Sequence, residues 1–326
     1  MPAGRVPDFF LVGHQKSGTT AMHMMLGQHP DVFMPAVKEP RYFAADLRSR
    51  FSTEPLPGRP QTLEGYMGLF AQARPDQLVG DASATYLRSK VAARGIAEAQ
   101  PGARIIAVLR EPASYIRSFH LQLVASNVEQ ERDLRRALAL EDERRAGRRI
   151  PSHCHHPEAL LYSEHVRYVE QLRRFHDVFP SEQVLVLVYE DFKRDNRCVF
   201  NEILRHLALD ESAPIEPVRT KPVREARSVL VHRMVARVRL AKRAPARVGP
   251  LARAVSAMVP SAARNRQFGA GWRRAVYAEQ KPPDEALMRE LRERFRPEVQ
   301  ALSEYLGRDL IERWGYGTSG QSAPLA

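Results

Sequence analysis

A chain of 326 residues, 44% hydrophobic and 27% charged, can bury one large core or two modest ones and has the composition of a soluble globular protein. No apolar run approaches the roughly 20 residues that span a bilayer, and the sequence enters a strand-like run by about Phe9 without the charged and apolar regions of a signal peptide, so a cytoplasmic protein is expected. The net charge of +12 excludes a uniformly basic surface: of 50 Lys/Arg and 38 Asp/Glu, 15 basic residues and one acid fall between Arg219 and Arg274, leaving 35 basic against 37 acidic elsewhere.

The first element sets the chemistry. Phe9-Phe10-Leu11-Val12 reads as a buried strand, Gly13-His14-Gln15-Lys16-Ser17-Gly18-Thr19-Thr20 as a tight loop, and Ala21 to Gln28 as a helix stopped by His29-Pro30. Glycines let the backbone approach a ligand, first-turn amides of the helix are free to bind it, and Lys16 adds a positive charge; a phosphate-bearing ligand is the natural occupant. The spacing is not that of a Walker A loop, where lysine directly follows the second glycine; here Lys16 precedes Gly18 by two positions.

Beyond Val32-Phe33-Met34, Pro35 and Pro40 bracket an extended or turn segment that contains Lys38 and Glu39. A carboxylate placed there becomes a candidate base if it lies beside the loop. Pro55 to Pro60 marks a surface break. A helix is expected over about 63–73, a short strand at Leu78 to Ala82 and helical sequence to about Gln100.

Arg104 to Arg110 gives the strongest strand signal, a continuous apolar run suited to the middle of a parallel sheet. Arg110 stands at its carboxyl end, where ligands gather in open α/β sheets, and Pro112 begins a helix that carries Ser118. Charged helical sequence follows to about Arg149. A long helix is expected from about Pro157 to Val178, with Leu161, His165, Tyr168, Leu172 and Phe175 on its buried face. Gln183 to Tyr189 is a second buried strand, followed by a helix over about 197–207. Cys154 and Cys198 lack ligand spacing, and His153-Cys154-His155-His156 has no second cluster to complete a tetrahedral set, so neither a disulfide nor a metal is expected.

Strands alternating with helices indicate one α/β domain with a central parallel sheet. The basic stretch 219–274 reads as a mainly helical insertion or lid on this single domain, 1–326. Within it, 228–243 forms a basic amphipathic helix that could pack on the body, meet an anionic membrane surface at the inner face, or reach phosphates. A last helix runs from Asp284 to about Leu306 and stops at Gly307.

Gly13 to Thr20 resembles the 5′-phosphosulfate loop of sulfotransferases that use 3′-phosphoadenosine 5′-phosphosulfate (PAPS). Leu109-Arg110-Glu111-Pro112 with Ser118 resembles their 3′-phosphate site, and Lys38-Glu39-Pro40-Arg41-Tyr42-Phe43 resembles the KEPxFF-like segment of the Golgi heparan sulfate sulfotransferases. Tyr189-Glu190-Asp191 and Leu306 to Leu310 look like bacterial members. The resemblance implies a P-loop-NTPase-like three-layer α/β fold, with PAPS as co-substrate, 3′-phosphoadenosine 5′-phosphate (PAP) as product, and no metal. It implies Glu39 as the base and Lys16 as the group that stabilises the leaving phosphate. His14, Gln15, Lys16, Ser17, Gly18, Thr19 and Thr20 would hold the 5′-phosphosulfate, and Arg110 and Ser118 the 3′-phosphate.

The glycan enzymes' lysine in the segment matching Gly80 to Tyr86 is missing here, so a second catalytic cation is absent or comes from elsewhere. Their cysteine-bounded nucleotide loop is also missing, and Arg219, Lys221 and Arg224 are candidate replacements. Nothing matches the catalytic histidine of the small-molecule enzymes. The acceptor would be a small molecule, glycan or glycolipid offering a hydroxyl, or less readily an amine, and nucleic acid is not an expected partner. Two other classes fit parts of the sequence: a P-loop kinase, which should show Walker A spacing and an Asp for magnesium, and a non-enzymatic polyanion- or membrane-binding protein built on 219–274. The acceptor and the oligomeric state are not legible in the sequence.

Overall fold

Apolar runs of the sequence become five parallel strands, β1 (Phe9–Gly13), β2 (Val32–Phe33), β3 (Leu78–Asp81), β4 (Arg104–Leu109) and β5 (Val184–Val188), in the order β2-β3-β1-β4-β5. The computed structural model describes residues 5–47, 60–152, 154–218, 225–226, 277–278 and 282–317. Gly13 pairs with Val108, and Leu109 with Val188, so β1, β4 and β5 end level with one another. The chain leaves β1 for the β2–β3 side and returns to β4 on the other. That reversal opens a crevice at the carboxyl ends of β1 and β4.

Side chains alternate between two cores, as strands covered on both faces require. Phe9, Leu11, Ile106, Val108 and Leu187 pack against α1 (Thr19–Leu26), α8 (Tyr189–Arg194) and α9 (Asn196–Leu207). On the opposite face Phe10, Val12, Ile105, Ala107 and Val186 meet α3 (Ala92–Ala99), α4 (Pro112–Ala125), α7 (Tyr168–His176) and α10 (Glu285–Leu306). This is the expected three-layer arrangement. Smaller helices are α2 (Leu63–Met67), α5 (Leu134–Ala139), α6 (Glu141–Arg145) and α11 (Leu310–Arg313).

The helix expected over 157–178 is not continuous. Pro157–Leu160 and Tyr162–Val166 are two tight 3-10 segments, and only α7 is α-helical. The breaks fall at Leu161 (φ −95°, ψ 75°) and Arg167 (φ −72°, ψ 63°), whose backbones are not helical, and lateral bonds hold the segment between them: Tyr162 Oη donates to Glu129 at 2.8 Å and His165 Nδ1 meets Tyr115 Oη at 2.9 Å. The expected 63–73 helix likewise shortens to α2 plus a 3-10 turn at Gly68–Phe70. The last helix matches its expected bounds, with Asp284 capping the amides of Ala286 and Leu287 and Gly307 closing it at φ 61°.

Arg219, Lys221, Arg224 and the basic helix expected at 228–243 lie outside the described residues. Flanking that stretch, β6 (Glu225–Ala226) pairs antiparallel with β7 (Tyr277–Ala278), and β6 runs beside α4. Among the described residues, no helix is long and apolar enough to cross a membrane.

Candidate active site

The loop between β1 and α1 is built on two glycines that cannot be replaced without strain. Gly13 has φ 145°, and a Cβ there would lie 2.5 Å from the Val108 carbonyl oxygen; Gly18 has φ 81° at the N-cap of α1 and abuts the Tyr189 ring. No side chain caps α1, so the amides of its first turn point at the loop without protein partners of that kind. Ser17 is fully buried and its Oγ has no hydrogen-bond partner among the described residues. Lys16 is half-buried; burial, then the neighbouring Arg110, lower the pKa of its ammonium, and no carboxylate among the described residues pairs with it. Neither Lys16 nor Arg110 makes an ion pair among the described residues, although the Glu190 carboxylate lies near enough to Arg110 to be stabilised by it.

Arg110 reaches the loop from β4. Its Nη1 donates to the Lys16 carbonyl at 2.7 Å, its guanidinium lies 4.9 Å from the Tyr189 ring centroid, and its Nε is buried without a partner among the described residues. The backbone at Arg110 is fixed by Tyr168 Oη, which donates to its carbonyl at 2.8 Å. Glu111 next to it caps α4 by accepting from the amides of Ala113 and Ser114, and takes a further bond from Tyr316 Oη. Glu190 accepts from the Glu111 amide and from Trp314 Nε1 at 3.1 Å. Ser118 sits half-buried one turn before Gln122, whose amide reaches Gln15 of the loop at 3.5 Å. The helix face that carries Ser118 therefore looks toward the loop.

Glu39 stands on the other side. Its carboxylate accepts from Lys38 Nζ at 3.2 Å, Arg41 Nε at 3.1 Å, the Ala84 amide at 3.2 Å and Thr85 Oγ1 at 3.2 Å. Burial pushes this carboxyl up, but Lys38 and Arg41 together outweigh it and hold the group below the usual range. Lys38 Nζ also lies 3.4 Å from Thr19 Oγ1, linking the carboxylate to the anion loop. His23 on α1 shares this neighbourhood; burial first, then Lys38, lower it to about 4, so it is neutral near physiological pH.

The loop residues, Arg110, Ser118 and Glu39 thus converge on the ends of β1, β3 and β4. His14 occupies a different place in the loop. It is 3% exposed, with its ring 5.1 Å from those of both Tyr115 and Tyr168, and burial lowers its pKa to about 3. Thr20 is exposed and Gln15 half-buried. Sequence reading gave no role to Arg41, Arg88 and Tyr316, and placed Tyr168 only on the buried face of the 157–178 helix. Arg41 alone had a signal, since it lies within the quoted Lys38 to Phe43 segment.

The chain matches the model of the sulfotransferase family over residues 7–213. Over 119 residues it is 36% identical to the bifunctional heparan sulfate N-deacetylase/N-sulfotransferase 2 of Homo sapiens, covering 36% of this chain and 13% of that protein. Over 215 residues it is 24% identical to the bifunctional heparan sulfate N-deacetylase/N-sulfotransferase 3 of Homo sapiens, covering 63% of this chain and 22% of that one. The chain thus spans less than a quarter of the length of these curated relatives. Among solved structures, a sulfotransferase from Alicyclobacillus acidocaldarius aligns with a TM-score of 0.66 at 26% identity, over 95% of this chain and 99% of that one. A family match across more than half the chain, on a fold shared nearly end to end with a solved sulfotransferase, makes this protein a member of the sulfotransferase family.

Proposed function

We propose that the chain moves a sulfuryl group from PAPS to a hydroxyl, or an amine, of a small-molecule, glycan or glycolipid acceptor. The observation that supports this most is the junction of Arg110 with Lys16: two cations that make no ion pair among the described residues, held together by the bond from Arg110 to the Lys16 carbonyl, beside buried Ser17 Oγ and Arg110 Nε atoms that lack partners among the described residues. Unsatisfied buried donors cost free energy unless a ligand completes them. A nucleotide with phosphates at both ends of its ribose fits that need.

The amides and hydroxyls of Ser17 to Thr20 would hold the 5′-phosphate, and Arg110, with Ser118, the 3′-phosphate, for which a planar guanidinium is suited. Bound PAPS supplies a sulfuryl group joined to a phosphate leaving group. A bond from the acceptor oxygen to sulfur forms as the bond from sulfur to the phosphate oxygen breaks; the acceptor's proton goes to Glu39 and PAP departs. Lys16 would stabilise the negative charge that grows on the departing phosphate oxygen, and Lys38, placed between Thr19 and Glu39, would hold the base beside the loop. Arg219, Lys221 and Arg224, which lie outside the described residues, would be further nucleotide contacts.

PAP release from PAPS, measured with a mixed panel of glycan and small hydroxyl acceptors, tests this reading. Lys16→Ala is expected to slow it about 100- to 1,000-fold, the cost of removing one preorganised stabiliser of developing charge. No release by the wild-type protein, or equal release by the variant, would overturn it.

A further inference from the structure

A cavity of about 200 Å³ opens between the β1–α1 loop and α4, and Gln15, Arg41, Thr85, Arg88, Tyr115 and Gln122 are among its walls. Arg110 and Ser118 do not line it, so it lies apart from the residues assigned to the 3′-phosphate. It is tied to the base through two of its own walls, since Thr85 Oγ1 and Arg41 Nε both donate to Glu39.

The charges in it do not balance. Among the described residues no Asp or Glu lines the cavity, while two arginines do. Arg41 is engaged with Glu39. Arg88 makes no ion pair among the described residues; its side chain's one hydrogen bond among them, to the Glu158 carbonyl, is long at 3.4 Å. Elsewhere the fold neutralises an interior arginine in the ordinary way: Arg144 pairs with Glu129 at 2.8 Å, their side chains 2% and 0% exposed. Burial leads the effects on Arg88 and lowers its pKa, and the more distant Glu158 and Asp46 carboxylates offset that in part without forming an ion pair. His14 and His165, also in the wall, have pKa values depressed first by burial and add no charge near neutral pH.

We propose that this cavity is the acceptor pocket and that Arg88 is its specificity residue, pairing with a carboxylate, or an equivalent acidic group, on a small acceptor whose hydroxyl is presented to Glu39. The proposal rests on the assignment of Glu39 as base. Size restricts the occupant: the volume is below the roughly 300–1,000 Å³ of pockets for drug-sized ligands, so it admits one ring or one terminal sugar unit but not a run of polymer. Tyr115, Phe119 and Leu123 give that ring an apolar wall. The expected acceptor is a compact hydroxy acid or an acidic end group.

Para-hydroxybenzoate and para-hydroxybenzamide share the ring and hydroxyl and differ in the one group that Arg88 would read, an anionic acceptor in the acid and a neutral amide in the other. Calorimetry on the PAP-loaded full chain is expected to show the acid binding at least about tenfold more tightly than the amide, the value of one charge-assisted hydrogen-bonded pair. That preference should vanish in Arg88→Met and return in part in Arg88→Lys, with PAP affinity the same in all three proteins as evidence that they fold. Equal binding of acid and amide, binding of neither, or a preference that survives Arg88→Met would overturn the proposal. Failure of the wild-type protein to bind PAP would instead overturn the nucleotide assignment, and the acid–amide comparison would still be read on the nucleotide-free protein.

Discussion

Lys16, Glu39 and Arg41 all adopt left-handed backbone conformations, with φ of 70°, 61° and 57°. Each costs on the order of 1–3 kcal/mol for a non-glycine residue and persists only where the surroundings over-determine it. Here they do: the Glu39 amide donates to the Ala82 carbonyl and the Arg41 amide to Ser83 Oγ, both at 3.1 Å, so the end of β3 holds the strained turn. The turn aims Lys38, Glu39 and Arg41 at one point and keeps the carboxyl ionised. Because the Glu39 pKa is lowered, its carboxylate form survives acidification below the ordinary range, and kcat/KM should stay flat from neutrality down to about pH 5. Glu39→Gln is expected to lower kcat by about 100-fold or more with PAP binding intact. Near-normal turnover by the variant, or an acid limb near neutral pH that persists in it, would remove Glu39 as the base.

At the scale of elements, β3 is the support of this side of the site. Buried Asp81 at its end accepts from Tyr66 Oη, Tyr86 Oη and Ser83 Oγ, each at 2.8 Å, and Ser83 in turn receives the Arg41 amide. Burial raises the Asp81 pKa from 3.8 to about 6 despite those three donors. The folded state therefore prefers the protonated acid. Its stabilising contribution is full below the unfolded value and is lost as pH rises through about 6, an effect of about 3 kcal/mol. Urea unfolding of wild type and Asp81→Asn at pH 4 and pH 7.5 (working values of about that size) should show the wild type gaining on the variant at the lower pH; a difference that does not change with pH would contradict this. Strands β1, β4 and β5 were legible in the sequence because each is a continuous apolar run buried on both faces. The 157–178 segment was misread because a helical spacing of apolar residues also suits 3-10 turns anchored sideways, and those anchors, Glu129 and Tyr115, lie far off in sequence.

Across the whole molecule, the sheet brings the ends of β1, β3 and β4 together, and the chain's far end locks them. Trp314 and Tyr316 bond to Glu190 and Glu111, the residues that flank Arg110 in space and in sequence. Such a latch is invisible to a reading of motifs, because partners about 125 to 205 positions apart leave no local pattern, whereas the loop, Glu39 and Arg110 each lie in contiguous segments that a sequence displays. The same limit hid Arg88, whose meaning depends on the cavity around it and on its lack of an ion pair among the described residues. The central claim is that Lys16 and Arg110 make one site for two phosphates. Calorimetry of PAP against adenosine 5′-monophosphate tests it most directly, since the two differ in the 3′-phosphate alone. PAP should bind about 10- to 100-fold more tightly, the value of a charge-assisted pair, and Arg110→Ala should erase the difference; equal affinities in the wild-type protein, or a preference for PAP that outlasts Arg110→Ala, would contradict it.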